Sequence, residues 1–301
     1  MKSLKFSIRS ANRVLICALS LATGALAQAP PDHPSVNVRG RTYTPRQVLA
    51  RNMGTDEDQT TAFPPHKIIG NIYYVGTRTL SSFLVVTPAG NILIDSTYER
   101  NVPTIKKSVE QLGFKFSDIK ILLGNHAHGD HQEGDAAVKE LTGAQVVAMA
   151  EDVPALRAIK PNGREHPIDR EIHDGDSVTL GGTTLVAHLT AGHTRGCTSW
   201  TTKAVEGGKT YSVLIGCSLR PPNELTPAIT EEFNRSFKIV RSLPCDVMLG
   251  DHPAEYDMQA KYAKISRGPN PFIDPPGCTA EADIQEAMFH AILEEQRRTV
   301  K

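Results

Sequence analysis

The stretch Gly124-Asn125-His126-Ala127-His128-Gly129-Asp130-His131, written GNHAHGDH, places three histidines and one aspartate within six consecutive positions. It ends the run DIKILLGN (residues 118–125), whose apolar core predicts a buried strand. Ligand sites of α/β proteins form in loops just beyond the carboxyl ends of strands. Imidazole and carboxylate suit zinc, and a catalytic zinc keeps one coordination position open. The stretch therefore predicts a metal-binding loop whose six positions can serve two neighbouring ions.

Two other interpretations of this loop are a solvated polar loop and a closed structural zinc site. Four ligand-type side chains in six positions at a strand end argue against a simple polar loop. Structural zinc sites are usually closed and rich in cysteine, and the loop contains no cysteine. A catalytic metal site is therefore favoured.

Two further histidines follow predicted strands in the same way as the loop does. His193 lies in TAGHTRGCTSW after the strand TTLVAHLT, and His252 lies in MLGDHPAEY after the short strand DVML. This matched placement makes both of them candidate ligands. His166 and His173 lie in a charged segment that we expect at the surface. The histidines interpreted as structural or solvated are His33, His66, His166, His173, His188 and His290.

Alternating short strands and amphipathic segments predict an α/β fold. Apolar spacing predicts helices over residues 101–112, 133–141, 229–243 and 280–298. Residues 28–65 show no sustained period and are expected to form an extended arm with one helical turn near residues 46–51. No repeat or long linker divides the chain, so residues 28–301 are expected to form a single domain, a sheet sandwich covered by helices.

The first 27 residues have the layout of a secretory signal peptide. Four basic residues and no acidic one precede the apolar run VLICALSLATGALA (residues 14–27), which ends in Ala25-Leu26-Ala27. This run is shorter than the ~20 residues that a membrane-spanning helix needs. We therefore expect cleavage after Ala27, a periplasmic protein and no membrane attachment after cleavage.

Charge argues against nucleic acid as a partner. The chain has 33 basic and 33 acidic residues, and removal of residues 1–27 leaves 29 basic residues and a net charge of −4. Nucleic-acid-binding proteins usually carry a basic surplus. No stretch suggests a subunit interface, so we expect a monomer.

Four cysteines remain after cleavage: Cys197, Cys217, Cys245 and Cys278. In an oxidising compartment some of them can pair. Without a C-x-x-C motif there is no zinc-knuckle or thioredoxin-like interpretation, and the sequence alone permits three pairings.

The pattern H-x-H-x-D-H after a strand, followed by a glycine-flanked histidine and a late histidine, resembles the metallo-β-lactamase superfamily. Later motifs make the chain similar to the third subclass of metallo-β-lactamases, from about residue 63 to the C-terminus. These motifs are GHTRGCTSW, CSLRPPN, PCDVMLGDHP and YAKISRGPNPFIDPPGC. The resemblance implies an αββα sandwich of two mixed sheets flanked by helices, with the metals at one edge.

The resemblance also implies a set of site residues. The first zinc would be bound by His126, His128 and His193, and the second by Asp130, His131 and His252. Asp130 would in addition orient a hydroxide shared by the two ions. Asp95, which ends NILID, matches an aspartate that orients the metal loop from outside the coordination shell.

The segment VLIGCSLRPP distinguishes relatives within the superfamily. Glyoxalase-II-like and RNA-processing members carry a metal-bridging aspartate here, and this chain has none. The third subclass usually has a serine, matched to Ser218, so Cys217 is expected to be a buried thiol. A shift of the alignment by one residue would instead make Cys217 a metal ligand. The resemblance implies a disulfide between Cys245 and Cys278, with Cys197 unpaired like Cys217.

The implied activity is hydrolysis of the β-lactam amide bond of penicillins, cephalosporins and carbapenems by a metal-bound hydroxide. Ser218, Arg220 and Asn223 are candidates for binding the substrate carboxylate, and Arg195, which replaces a frequent proline, could reach the rim of the site. Two other functions are a lactonase or thioester hydrolase of the same superfamily and a non-enzymatic exported zinc-binding protein. A lactone-versus-lactam substrate panel would separate them.

Overall fold

The computed structural model describes residues 34–299, so the predicted signal peptide lies outside the described residues. The described chain begins with a hairpin of strands β1 (Val36–Val38) and β2 (Arg41–Tyr43), followed by helix α1 (Pro45–Met53). Thr44 caps this helix in a reciprocal capping box with Gln47. The hairpin was not predicted, and the helix is longer than the single turn expected within residues 28–65.

The larger sheet contains seven strands in sequential order. The first four pair antiparallel and the last four pair parallel. The strands are β3 (His66–Ile69), β4 (Ile72–Tyr74), β5 (Phe83–Thr87), β6 (Gly90–Ile94), β7 (Ile119–Leu123), β8 (Gln145–Met149) and β9 (Arg170–Ile172).

The smaller sheet contains five strands, also in sequential order. It is antiparallel except for its last pair, which is parallel. The strands are β10 (Ser177–Leu180), β11 (Thr183–Leu189), β12 (Thr198–Glu206), β13 (Lys209–Gly216) and β14 (Val247–Gly250).

Helices cover both sheets. The remaining helices are α2 (Val102–Gln111), α3 (Gly129–Gln132), α4 (Asp135–Thr142), α5 (Val153–Leu156), α6 (Pro227–Ser242), α7 (Met258–Tyr262) and α8 (Ala280–Thr299). The helix predicted over residues 133–141 corresponds to α4, and the short helix α3, which precedes that range within the metal loop, was not predicted. None of the helices within residues 34–299 is both long enough and apolar enough to cross a membrane.

Two apolar cores define the layers of the fold. One core joins the facing sides of the two sheets and continues to α6 and α8, with Trp200 and Phe233 among its large buried side chains. The other lies between the seven-stranded sheet and the helices α2 and α4, around Ile105 and Val138. The predicted αββα sandwich with mixed sheets is confirmed.

Strand direction determines where functional side chains collect. Strands β6, β7 and β8 are parallel neighbours, so the segments that follow them lie at the same edge of the larger sheet. In the smaller sheet, β13 and β14 are parallel, and β11 runs in the same direction as β13 because two antiparallel pairings separate them. The segments after these six strands therefore line one end of the sandwich.

Candidate metal centre

The loop after β7 brings its first two histidines to His193, which follows β11. Nε2 of His126 lies 3.0 Å from Nδ1 of His128. The ring centroid of His193 lies 4.7 Å from that of His126 and 4.8 Å from that of His128. One potential ligand atom from each of the three side chains lies within 4.8 Å of the others. The three imidazoles can therefore converge on one ion.

A second group forms beside the first from the end of the same loop and from the segment after β14. Oδ2 of Asp130 lies 3.3 Å from Nε2 of His131 and 3.8 Å from Nε2 of His252. Their potential ligand atoms also lie within 4.8 Å of one another. Cys217 is not part of this group and instead contacts the Nδ1 side of His126. The six predicted ligands thus form two adjacent groups of three, with the memberships that the resemblance implied.

Two buried carboxylates orient histidines of the site. Nδ1 of His126 lies 3.2 Å from Oδ2 of Asp251, and Nδ1 of His131 lies 3.3 Å from Oδ2 of Asp95. Metal-binding histidines usually give their second nitrogen to such a partner, which fixes the tautomer and the direction of the ring. Asp95 has the contact expected for it, whereas Asp251 was not predicted.

Backbone carbonyls orient two other imidazoles. Nδ1 of His193 lies 2.9 Å from the carbonyl oxygen of Arg220, and Nδ1 of His252 lies 3.0 Å from that of Thr79. In both histidines this contact leaves Nε2 to bind a metal ion.

Asp95 occupies a left-handed backbone conformation with φ of 60°, which is uncommon for a residue other than glycine. Its carbonyl accepts a hydrogen bond from the hydroxyl of Ser82 at 2.6 Å, and its Oδ1 accepts one from the backbone N–H of Asn125 at 2.8 Å. Such strained positions persist where the surrounding contacts determine them, and they are common at functional sites. Asp95 thereby joins the end of β6 to the start of the metal loop.

Asp152 is a buried carboxylate that the sequence interpretation missed. Its Oδ2 accepts hydrogen bonds from the backbone N–H of Ala127 at 2.9 Å and the hydroxyl of Thr194 at 2.8 Å. Its Oδ1 accepts one from the backbone N–H of Gly196 at 2.7 Å. One side chain thus connects the loop of His126 and His128 to the loop of His193. Its position just after β8, at the same edge as the metal loop, was the signal that could have identified it.

Burial keeps most of the imidazoles neutral, which is the form that binds metals. Burial, assisted by the charge of His131, lowers the pKa of His126 to about 3. Burial also holds the pKa of His193 well below its usual range. Burial alone would raise the pKa of Asp130, but the charges of His131, His252 and His126 and a hydrogen bond with His131 together hold this pKa well below the usual range. Neutral imidazoles beside an ionised carboxylate form a donor set suited to divalent cations.

An unpartnered atom supports this fit. Nε2 of His131 is buried and has no hydrogen-bond partner among the described residues. It lies 3.3 Å from Oδ2 of Asp130, so one ion could contact both atoms. The donor atoms are nitrogen and oxygen, as zinc sites with a catalytic role prefer. The residues present therefore fit two divalent metal ions.

A cleft of about 310 Å³ opens over the two groups. Ser218 and Arg220 line it together with Leu49, Asn52 and Met53, so α1 supplies part of its wall. Asn223 lies instead beside a smaller adjacent cavity that Arg220 also borders. Arg195 borders an open groove on the other side of His128. Two of the three candidates for substrate binding thus lie at the site.

The cysteines form two disulfides. Cys245 is joined to Cys278, the pair that the resemblance implied. The prediction that Cys197 and Cys217 stay unpaired is wrong, because these residues form the other disulfide. The antiparallel pairing of β12 with β13 brings the segment before β12 next to the segment after β13, and the two cysteines lie in these segments.

His166 also differs from its prediction. It was placed in a surface segment, but its side chain is buried, and its Nε2 lies 3.2 Å from Oδ2 of Asp135 at the start of α4. The charged residues around it are at least partly exposed, so the charged composition of the segment gave no sign that this one ring is buried. His66 is likewise buried, among Phe63, Tyr74 and Tyr262.

This fold and this candidate site are typical of a class of metal-dependent hydrolases. The family model of the metallo-beta-lactamase superfamily matches residues 75–205. The structure is similar to the FEZ-1 metallo-beta-lactamase from Legionella gormanii, with 42% identity, a TM-score of 0.75, and coverage of 79% of this chain and 98% of that chain. It is also similar to BJP-1, a subclass B3 metallo-beta-lactamase of Bradyrhizobium japonicum, with 37% identity, a TM-score of 0.75, and coverage of 81% and 99%.

The chain belongs to the metallo-β-lactamase superfamily, and the resemblance to its third subclass, B3, is confirmed by these neighbours. Among curated sequences it is similar to the hydroxyacylglutathione hydrolase of Hyphomonas neptunium, with 36% identity over 87 residues. That match covers 29% of this chain and 29% of the relative's length. The curated match therefore supports the superfamily rather than a particular substrate.

Proposed function

We propose that this protein is a di-zinc β-lactamase of the periplasm, exported by residues 1–27 and active as a monomeric single domain of residues 28–301. The observation that carries the proposal is the pair of ligand groups, His126/His128/His193 and Asp130/His131/His252, under one cleft. Similarity to metallo-β-lactamases over 98% and 99% of their lengths supports the same function.

The chain's own residues would bind the metal ions and orient the reacting water. When bound, two zinc ions would lower the pKa of a shared water and polarise the lactam carbonyl. Asp130, which its surroundings keep ionised and which is only partly exposed, would hold one ion and would help to orient that water. His126, which is buried, and His193, which is partly buried, are both neutral and would keep their ligand atoms free of protons at neutral pH.

The anionic group of the substrate would be bound by Arg220 and Ser218. Burial lowers the pKa of Arg220, although Asp130 and Asp251 lie close enough to oppose that shift. Within the described part of the chain, no carboxylate forms an ion pair with its guanidinium. Arginine pairs with carboxylates through parallel hydrogen bonds, and a β-lactam carries such a group near its amide. Asn223 lies outside this cleft and would act only on a larger substituent.

A thioester hydrolase is the second candidate, because the curated relatives are hydroxyacylglutathione hydrolases. The segment after β13 argues against it. Relatives of that type carry a metal-bridging aspartate there, whereas this chain has Gly216-Cys217-Ser218. The amide of a strained lactam ring is therefore the favoured substrate.

The test uses the protein purified after export, loaded with zinc and compared with a chelator-treated sample. We expect zinc-dependent loss of imipenem and penicillin absorbance, with much slower turnover of a lactone and a glutathione thioester. Faster turnover of the thioester or the lactone would replace the β-lactamase proposal by the corresponding hydrolase. Firm binding of zinc without turnover of any of these substrates would favour a non-enzymatic zinc-binding protein.

A further inference from the structure

The disulfide between Cys197 and Cys217 lies against the back of the metal centre. Sγ of Cys217 is 3.6 Å from Nδ1 of His126, on the side of the ring that faces away from His128. The exposed fractions of Cys197, Cys217 and His126 are 0%, 4% and 1%. One potential ligand atom from each of these three residues lies within 4.8 Å of the others. Neither the six predicted ligands nor the cleft includes the sulfur atoms.

The backbone around both cysteines is held by contacts other than the disulfide. The N–H of Thr190 donates to the carbonyl of Cys197 at 2.8 Å, and the N–H of Cys217 donates to the hydroxyl of Ser199 at 3.1 Å. Strands β12 and β13 pair along their length next to these positions. Opening the disulfide would therefore leave the two side chains close to each other and to His126.

Carbonyl oxygens already lie beside both sulfur atoms. Sγ of Cys197 is 3.3 Å from the carbonyl oxygen of Ser218, and Sγ of Cys217 is 3.4 Å from that of Asn125. A thiol at either position would thus have an acceptor for its S–H. The reduced pair can be accommodated without leaving a buried polar group unpaired.

We propose that reduction of Cys197–Cys217 creates a second kind of metal site, in which two thiolates and Nδ1 of His126 bind a soft divalent ion such as zinc or cadmium. The reductant is a dithiol, which supplies two electrons and two protons and becomes a disulfide itself. Breaking the S–S bond gives two thiols. Binding of the ion releases their two protons to solvent, together with the proton on Nδ1 of His126 when Nε2 also binds a metal ion.

The geometry suits such an ion. With zinc–sulfur distances of about 2.3 Å, two thiolates on a tetrahedral ion lie roughly 3.8 Å apart. The Cα atoms of the two cysteines are 5.8 Å apart, a separation that side-chain rotation can match to this spacing. Thiolate sulfur selects zinc and softer ions over magnesium or calcium.

The site would share His126 with the proposed catalytic centre. Nε2 of this ring faces His128, and Nδ1 faces Cys217 and Asp251. The redox state of one disulfide would therefore change the surroundings of a catalytic ligand. This inference goes beyond the proposed β-lactamase activity and does not require it.

Cobalt titration of the purified whole protein tests the proposal, because thiolate-bound cobalt has a charge-transfer band that nitrogen and oxygen ligands do not give. Oxidised protein, protein reduced without oxygen and freed of reductant, and the reduced double variant Cys197→Ser/Cys217→Ser are compared. The double variant keeps Cys245 and Cys278, so it reports any cobalt bound by those thiols. We expect the reduced wild type alone to show the band and to bind about one more cobalt ion per chain than the oxidised protein.

Three results would overturn the proposal. One is the absence of the charge-transfer band in reduced protein whose near-ultraviolet circular dichroism spectrum is the same as that of the oxidised protein. Another is an equal band in the reduced double variant, which would assign it to Cys245 and Cys278. The third is loss of the folded spectrum on reduction, because the site requires the folded backbone. Metal content and β-lactam turnover of the oxidised protein are measured separately, so failure of the proposed function remains distinguishable.

Discussion

Oδ2 of Asp251 lies 3.2 Å from Nδ1 of His126 and accepts a hydrogen bond from the backbone N–H of Ser218 at 2.8 Å. The aspartate itself directly precedes His252, a candidate ligand of the other group. A single buried carboxylate thereby connects one candidate ligand from each group to the segment that lines the cleft. Asp251 lies outside the cleft, yet it determines which nitrogen of His126 can face a metal ion.

Replacement of Asp251 by asparagine should weaken binding at the first metal position. An amide oxygen can still accept from Ser218, but it lacks the charge that favours the required tautomer of His126. Removal of such a partner typically lowers metal affinity by about 10- to 100-fold. Zinc affinity measured by competition with a chromophoric chelator checks this, with the exposed Asp118→Asn as control. Equal affinities in both variants would show that Asp251 does not orient the ligand.

Asp152 should contribute more to stability than its neighbour Glu151. Its carboxylate accepts three hydrogen bonds from two loops, and Asp152→Ala would leave buried donors without partners. We expect the free energy of unfolding to fall by about 3 kcal/mol, since hydrogen bonds to charged groups contribute more than neutral ones. Urea unfolding of the metal-free protein measures the change. The exposed Glu151→Ala should shift the midpoint little, and a similar shift in both variants would contradict the role of Asp152.

The local part of the metal centre could be predicted from the sequence because its spacing is short. His126, His128, Asp130 and His131 share one loop, and the apolar run before it identifies the strand end. His193 and His252 were predicted because each follows a predicted strand, and the direction of these strands in the structure brings both residues to the same edge. The fold followed from the same alternation of strands and helices together with the resemblance.

The contacts that support the ligands could not be predicted because they depend on distances across the fold. Asp152 meets Thr194 across 42 positions, and Asp251 meets His126 across 125. The Cys197–Cys217 pair depends instead on the register of two neighbouring strands. Had the register that pairs Trp200 with Ile215 been predicted, its continuation would have placed the two cysteines side by side.

The N-terminal hairpin could not be predicted from the sequence for a different reason. Strands β1 and β2 have three residues each, too few to give a periodic pattern. They are stabilised by packing against α8, and Arg39 of their turn forms an ion pair with Asp283 at 2.6 Å. Tertiary contact rather than local sequence therefore determines this element.

His66 should make the protein more sensitive to acid. Burial among aromatic rings lowers its pKa, so below its unfolded value of 6.5 the unfolded chain binds the proton more readily. The stability that neutral His66 contributes is present above that value and is lost as the pH falls below it. We expect His66→Gln to lose less unfolding free energy than the wild type between pH 8 and pH 5. Urea midpoints at both pH values test this, with the exposed His290→Gln as control; equal losses in all three proteins would exclude the effect.

Replacement of Arg220 by methionine tests the anion-binding part of the proposed function. Methionine preserves much of the side-chain volume in the cleft but removes the charge that would pair with the substrate carboxylate. We expect KM for a penicillin to rise about tenfold with little change in kcat, because the pair would form equally in the ground and transition states. The exposed Arg235→Met on α6 is the control. A fall in kcat at constant KM would instead place Arg220 against the reacting atoms, and no change in either constant would leave Ser218 to bind the carboxylate.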